Sequence, residues 1–481
     1  MQSYGEPAPA TEPVGAPPGL RIAGESPFEI GRSAALGHGA GIRRTVYMLS
    51  RMCRRVPSLG ERAIAEGRRL QSCAGEREDG LSAELEGLSR GLGVSRSDLW
   101  CARSALESLA APFCTNFGAE SPATEDDKVM LSWNFDAPVI LRWLMGGFPF
   151  FVRNLKGTLP YLCLGVPSLF GIGILNSEGL CCVVNAVGIQ DDGDGMSPFE
   201  LNNLVMENSS AVAEAEGIFK RGPRQATRAM LVGMLMNWNM IWGDRNRGLS
   251  VFEYSHNHFH RERATREGVI ASANHHQFLD RSLSGSFDPT TQELIAGSYS
   301  RLARMWSLLE RFRGAIGPQA AKQITSDHIP DYSLLADFGI KGEWWEEKQD
   351  DSTISAHAWN LKAHLLSGDF GAAIRELGIS TTLYSIQVQP GDMTVWFTRG
   401  HPCRNPTVPV YWGRLLGADI TRKMDALPPG SAGRERVAAA PKGIFRKDAG
   451  PLERSLARAW YGIIGSIESG SFRKAEGATR R

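Results

Sequence analysis

The sequence has almost no charge of one sign to spare: 53 basic residues against 52 acidic leave a formal net charge of +1. So even a balance gives no electrostatic basis for binding nucleic acid or an anionic membrane surface. No apolar run is long enough to span a bilayer. The nearest candidate, Ala137–Phe151, contains Arg142, two glycines and two prolines. Cysteine is sparse, eight residues in 481 with no Cys-x-x-Cys pair, which speaks against a disulfide framework. The first nineteen residues are rich in Pro, Ala, Gly and Glu and hold no apolar core of a secretory signal. The last residues, Ala-Thr-Arg-Arg, are not a peroxisomal address. These absences point to a cytoplasmic globular protein that uses neither nucleic acid nor membrane. Gly37-His38-Gly39-Ala40-Gly41 lacks the features of a nucleotide-binding loop, and no HExxH metal motif occurs.

The patterning divides the chain. Residues 1–25 are Pro-rich and polar and read as a disordered leader. From 26 to 113 the pattern is helical. Leu81–Leu92 ends at Gly91-Leu92-Gly93, Ser95 or Ser97 is a plausible N-cap, and Leu99, Ala102, Leu106 and Leu109 share one helical face. After Pro112 come short apolar strands: Val129–Trp133, Phe150–Asn154, Tyr161–Leu164, Ile172–Leu175 and Leu180–Asn185. Helices are expected over Pro198–Asn208 and Pro223–Trp238, then strands at Leu249–Ser255 and Gly268–Ala273, then helical sequence at Thr290–Phe312 and Pro318–Thr325. Thr382–Gln389 and Met393–Thr398 flank the turn Pro390-Gly391-Asp392. Strands, helices, strands, helices and strands in that order predict an α+β protein with two sheets and helices outside them. Residues 421–481 read as a tail with one short helix, Leu452–Ile467.

Chemistry concentrates where helix gives way to strand. Cys114-Thr115 precedes a polar loop, and the chain returns through Ser132-Trp133-Asn134-Phe135-Asp136. Residues two apart on a strand share a face, so Asn134 and Asp136 are expected to point together. A thiol of pKa near ~8.5 is only a few per cent ionised at neutral pH. A free α-amino group titrates near ~7.7–8.0 and can act as the base for its own side chain. A cysteine made N-terminal by a cut in front of it therefore carries nucleophile and base together.

The motifs in order resemble the isopenicillin-N acyltransferase family of autoproteolytic cysteine N-terminal-nucleophile (Ntn) hydrolases. The resemblance rests on Gly37-His38-Gly39, Glu84–Val94, Cys114-Thr115, Asn134-Phe135-Asp136, Asn176–Leu180 with Asn185, Ala273-Asn274-His275, Thr381–Ser385 and Gly400-His401-Pro402. It implies a four-layer αββα sandwich behind a helical pro-segment, residues 26–113, with a catalytic domain at 114–420. It also implies cleavage of Phe113–Cys114 into an α/β heterodimer, Cys114 as nucleophile and Asp136 as partner of its amine. The Asn185 main chain and the Asn274 amide would be oxyanion donors. Arg399 or His401 would take an arginine-like role near the last hairpin, with Thr115 and Asn134 in support. The implied substrates are acyl amides or thioesters, with an amine or water as acceptor, and no cofactor or metal is expected. Phe113 stands where a small residue is expected, and Trp133 where relatives carry arginine.

Two other readings compete. His256, His258 and His260 alternate, and on a strand would share a face that could hold zinc in a metal hydrolase. An uncleaved, non-enzymatic family member is the second. Trp143, Phe148, Phe150, Phe151 and the stretch Met230–Trp242 are candidates to line an apolar acyl pocket.

Overall fold

The structure, a computed structural model, describes residues 21–55, 57–77, 80–109, 114–145, 149–228, 235–280, 289–331, 333, 354–355 and 380–417. The helical pro-segment forms α1 (Pro27–Arg55), α2 (Pro57–Arg77), α3 (Leu81–Leu92) and α4 (Arg96–Leu109). Gly93 closes α3 in a left-handed conformation (φ 66°) and donates to the Ser89 carbonyl. Ser95 accepts from the Asp98 amide at 3.1 Å and so caps α4. α1 and α3 touch backbone to backbone. A Cβ on Gly31 would lie 1.9 Å from the Glu84 carbonyl oxygen, and one on Gly87 1.9 Å from that of Phe28. The glycines of this segment thus serve helix packing.

The strands build two sheets. In chain order they are β1 (Arg21–Gly24), β2 (Thr115–Ala119), β3 (Met130–Pro138), β4 (Phe150–Leu155), β5 (Tyr161–Val166), β6 (Phe170–Asn176), β7 (Leu180–Ile189), β8 (Thr227–Arg228), β9 (Leu235–Asp244), β10 (Leu249–Tyr254), β11 (Phe259–Arg263), β12 (Val269–Ser272), β13 (Ser380–Gln389), β14 (Thr394–Arg399) and β15 (Val408–Tyr411). One sheet has nine strands, in the order β1-β4-β5-β6-β7-β9-β10-β11 with β8 added beside β9. The other has six, β12-β2-β3-β13-β14-β15. The remaining helices are α5 (Val139–Met145), α6 (Pro198–Asn208), α7 (Val212–Arg221), α8 (Pro289–Arg311) and α9 (Pro318–Thr325).

β2 and β3 pack on β7 and β9 across the sandwich. The pro-segment, α6 and α7 cover the outer face of the nine-stranded sheet, and α8 and α9 cover the six-stranded one. The main core fills the space between the sheets, and a second core (Phe117, Ala119, Ala271, Met305, Leu309, Ile324) lies under α8 and α9. This is the αββα layering expected of the chain.

Some expectations are corrected. Arg21–Gly24, at the end of the expected leader, forms the edge strand β1, parallel to β4. The helix expected at Pro223–Trp238 is not formed in its described parts, residues 223–228 and 235–238. Leu235–Asp244 is a strand pairing with all ten residues of β7, and Thr227-Arg228 pairs beside it. Its run Met-Asn-Trp-Asn-Met-Ile-Trp is buried on both faces, and a doubly buried strand loses the alternation that marks strands in sequence. Residues 1–20 and 418–481, with the rest of the expected leader and the tail, lie outside the described residues. Among the described residues no helix is long and apolar enough to cross a membrane.

Ion pairs bind the pro-segment to the rest of the chain. Arg153 on β4 lies 2.9 Å from Glu84 of α3 and 2.9 Å from Glu207 of α6, all largely buried. Arg153→Met leaves both carboxylates without their cation. It is expected to cost about 3–5 kcal/mol, read as a lowered urea midpoint at unchanged m-value.

Candidate active site

Cys114 is the residue immediately before β2, and its side chain belongs to the core between the sheets. The β2–β3 hairpin sets its surroundings. Thr115 pairs with Asn134, and β3 pairs on its other side with β13, Thr382 opposite Asp136. The Cys114 Sγ sits 3.7 Å from the Asp136 carbonyl oxygen. Burial and the nearby Asp136 carboxylate push the thiol up to about 12, while the Arg301 guanidinium pulls the other way. A thiol with that pKa is protonated at neutral pH. In the uncleaved chain, alkylation of Cys114 by iodoacetamide, followed by peptide mass spectrometry, is expected to be slow at pH 7.5. Below the pKa it should rise about tenfold per pH unit; a rate flat between pH 7 and 10 contradicts this.

Cys114 and Asn116 are two apart and face the same way, into the sandwich. There the Asn185 Nδ2 of β7 donates to Asn116 Oδ1 at 2.9 Å. The next carbonyl, Ala186, accepts from Asn274 Nδ2 at 2.8 Å. Arg301 Nη2, from α8, donates to Asn274 Oδ1 at 2.5 Å. Arg301 is 1% exposed, and its charge acts on the Cys114 thiol. Asn116, Asn185, Asn274 and Arg301 therefore form a hydrogen-bonded circuit that runs through the Asn185–Ala186 backbone and draws on both sheets and α8, while the Cys114 sulfur lies against the Asp136 carbonyl.

The segment carrying Asn274 is itself pinned. Asn239, opposite Asn185 in the β7–β9 ladder, donates to the His275 carbonyl at 2.7 Å. Ser298 Oγ accepts from the Asn274 amide N–H at 2.7 Å. Asn274 Nδ2 carries two hydrogens, so the Ala186 contact leaves one for an oxyanion.

Not every expected residue joins this circuit. Asn134 and Asp136 are both fully buried, but Asn134 Nδ2 donates to Thr325 and Ile354 carbonyls at 2.8 and 2.9 Å. It anchors the α9 layer to β3. Thr115, its partner in register, is on that face too. Arg399 is exposed at the end of β14, opposite Tyr384. His401 lies 3.4 Å from Thr381 Oγ1 and is held neutral, pulled down to about 4 first by burial and then by nearby cations. Phe113 lies outside the described residues.

Phe150 and Phe151 both line a cavity beside α1, with Leu144 and Met145, and each has further contacts. Phe150 packs on Phe397 and Trp412 at 4.9 and 5.9 Å, while Phe151 lines a cavity under α6. Phe148 and 230–234 lie outside the described residues, and the Trp143 side chain is not among those described. The three alternating histidines do not share a strand face, because β11 begins only at Phe259. His256 Nδ1 contacts the Arg224 carbonyl, and His260 Nε2 meets Glu262 at 3.0 Å. Among the described residues no group of three or more His, Cys, Asp or Glu side chains is placed to hold a metal ion.

Residues 150–337 match the family model described as acyl-coenzyme A:6-aminopenicillanic acid acyl-transferase. That match is a similarity over part of the chain. The matched stretch contains Asn185, Asn274 and Arg301, whereas Cys114 and Asp136 precede it. No curated protein shows significant sequence similarity to the chain. Among solved structures, the penicillin V acylase of Agrobacterium tumefaciens is 13% identical, covering 60% of this chain and 83% of that one, with a TM-score of 0.32. A variant of conjugated bile acid hydrolase from Clostridium perfringens is 14% identical over 63% and 93% of the two chains, with a TM-score of 0.32.

Arg301, Asn116, Asn239 and Ser298 escaped the sequence reading. Asn116 was within reach of it, since strand alternation from Cys114 points there. Arg301 was not, since nothing local distinguishes it from the other arginines of α8.

Proposed function

We propose that this enzyme cuts its own chain between Phe113 and Cys114 and then uses Cys114 as an N-terminal nucleophile. In the first step the Cys114 thiol loses its proton and attacks the Phe113 carbonyl carbon. The C–N bond breaks, the nitrogen takes up the proton, and a thioester with a free α-amino group results. Water hydrolyses the thioester, leaving a carboxylate on Phe113 and a free thiol on Cys114. In turnover the α-amino group, with its ordinary pKa near ~8, takes the thiol proton while sulfur attacks the substrate carbonyl. The leaving amine or thiol takes the proton, and the acyl group on Cys114 passes to an amine or to water. Asp136, fully buried beside Cys114, balances the ammonium form of the amine. The Asn274 amide and the Asn185 main chain supply donors for the oxyanion, and Arg301 orients Asn274 and adds positive charge there.

The observation that carries this reading is the buried Cys114, its sulfur at the Asp136 carbonyl and its thiol under the influence of the Arg301 charge, where Arg301 also holds Asn274. The family description names a thioester donor and an amine acceptor, which supports an acyl amide or acyl thioester as substrate. The test is to incubate the protein with a panel of N-acyl amides and acyl thioesters, quench in acid and map peptides by mass. The expected result is an acyl adduct on a peptide that begins at Cys114. Turnover with no adduct and no new terminus at Cys114 overturns the proposal.

A further inference from the structure

A second polar site lies on the outer face of the nine-stranded sheet, away from the core that holds Cys114. There a cavity of about 110 Å³ is enclosed by α3, α4, α6 and strands β4 to β6. Glu84, Glu200 and Glu207 line it, facing the guanidinium groups of Arg103 and Arg153. Arg153 is shared between Glu84 and Glu207, and Arg103 is engaged from behind by the buried Glu107 at 2.7 Å. Three carboxylates against two cations leave the lining one positive charge short, and Glu107 adds to the deficit when ionised.

Two acceptors in the wall are unused. Ser168, 8% exposed on a left-handed turn (φ 59°), has a buried hydroxyl without a hydrogen-bond partner. The Asn203 amide oxygen, on α6, is also buried without one. Unsatisfied buried acceptors are costly, and such sites are commonly completed by water or a ligand. The rest of the wall is largely apolar, with Leu81, Phe151, Phe170 and Leu204, and also carries Tyr161, whose hydroxyl donates to Glu207 at 3.5 Å, and Cys163. A cavity of about 150 Å³ accepts benzene, so this one suits a ligand of about four to six heavy atoms.

We propose that this cavity binds a small primary alkylammonium ion. Its three N–H bonds match Ser168, Asn203 and one carboxylate of α6, its charge corrects the deficit, and its alkyl tail packs on Phe151 and Phe170. An anion would add to the excess of carboxylates, and a neutral alcohol would leave the charge uncorrected. Because α3 and α4 belong to the pro-segment and α6 does not, the bound amine ties the two together.

The test uses the full chain and n-butylammonium chloride, with sodium chloride at equal ionic strength, 1-butanol and sodium butyrate as controls. Thermal unfolding and titration calorimetry are followed. A saturable rise of roughly 2–4 °C in Tm is expected with the ammonium ion alone. Ser168→Ala and Asn203→Leu should each reduce it at least twofold, and Cys114→Ala should leave it unchanged. No saturable shift, an equal shift with butanol, or a full shift in both cavity variants overturns the proposal: the cavity then holds water. A shift lost in Cys114→Ala also overturns it, by placing the amine at the nucleophile.

Discussion

Cys114→Ala is expected to leave a single chain at the full 52.5 kDa, where the native sequence is expected, on the proposed mechanism, to yield fragments of 113 and 368 residues (481 − 113 = 368). Turnover should fall by about 10⁴–10⁶-fold, the scale seen when a covalent nucleophile is removed. Both losses follow from one atom. In the proposed mechanism the sulfur that opens the Phe113–Cys114 bond is the sulfur that later carries the acyl group. Intact mass under denaturing conditions reads the first effect and an acyl-transfer assay the second. Two fragments from the alanine variant would mean that another group makes the cut. Full activity from an unfragmented native chain would mean that no new amine is needed, and would move the base to another residue.

Arg301→Met should lower kcat by about 10²–10³-fold, the cost of losing one preorganised oxyanion contact. Arg301 holds the Asn274 oxygen at 2.5 Å and so fixes the amide whose nitrogen donates to the Ala186 carbonyl. It also supplies the positive charge that opposes the rise in the Cys114 pKa. Its removal should therefore shift the alkaline limb of the kcat/KM profile upward. Arg301→Lys keeps the charge but not the planar fork, so it should restore the pH profile more fully than kcat. A methionine variant within threefold of native kcat, with an unmoved profile, would reduce Arg301 to a packing residue. Circular dichroism melts separate this from unfolding, which a buried, hydrogen-bonded arginine could also provoke when removed.

Local signals in the chain anticipated much of the fold and part of the site. The helix stop at Gly93, the cap at Ser95, the turn at Pro390–Asp392 and helix α9 all depend on interactions within a few residues, so they were readable in order along the chain. The strand β9 was not, because its burial on both faces comes from partners far away in sequence. The grouping of Cys114 with Asn185 and Asn274 came from ordered motifs; the structure joins Asn185 to Asn116 and Asn274 to Ala186 and Arg301. Asn134 and Asp136 are separated by only one residue, yet Asn134 is committed to α9, because the polar atoms it meets belong to another layer.

By itself the sequence determined the α+β class, the helical segment ahead of Cys114 and the cysteine at the helix-to-strand junction. Periodicity, caps and turns are encoded over short distances, which is why these were legible. The tertiary structure decided that the Arg301 charge acts on the thiol, that the three histidines do not share a strand face, and that burial holds the Cys114 thiol protonated. Each of these depends on which distant side chains meet in a space without water. There, charge and desolvation act through packing that no local pattern specifies.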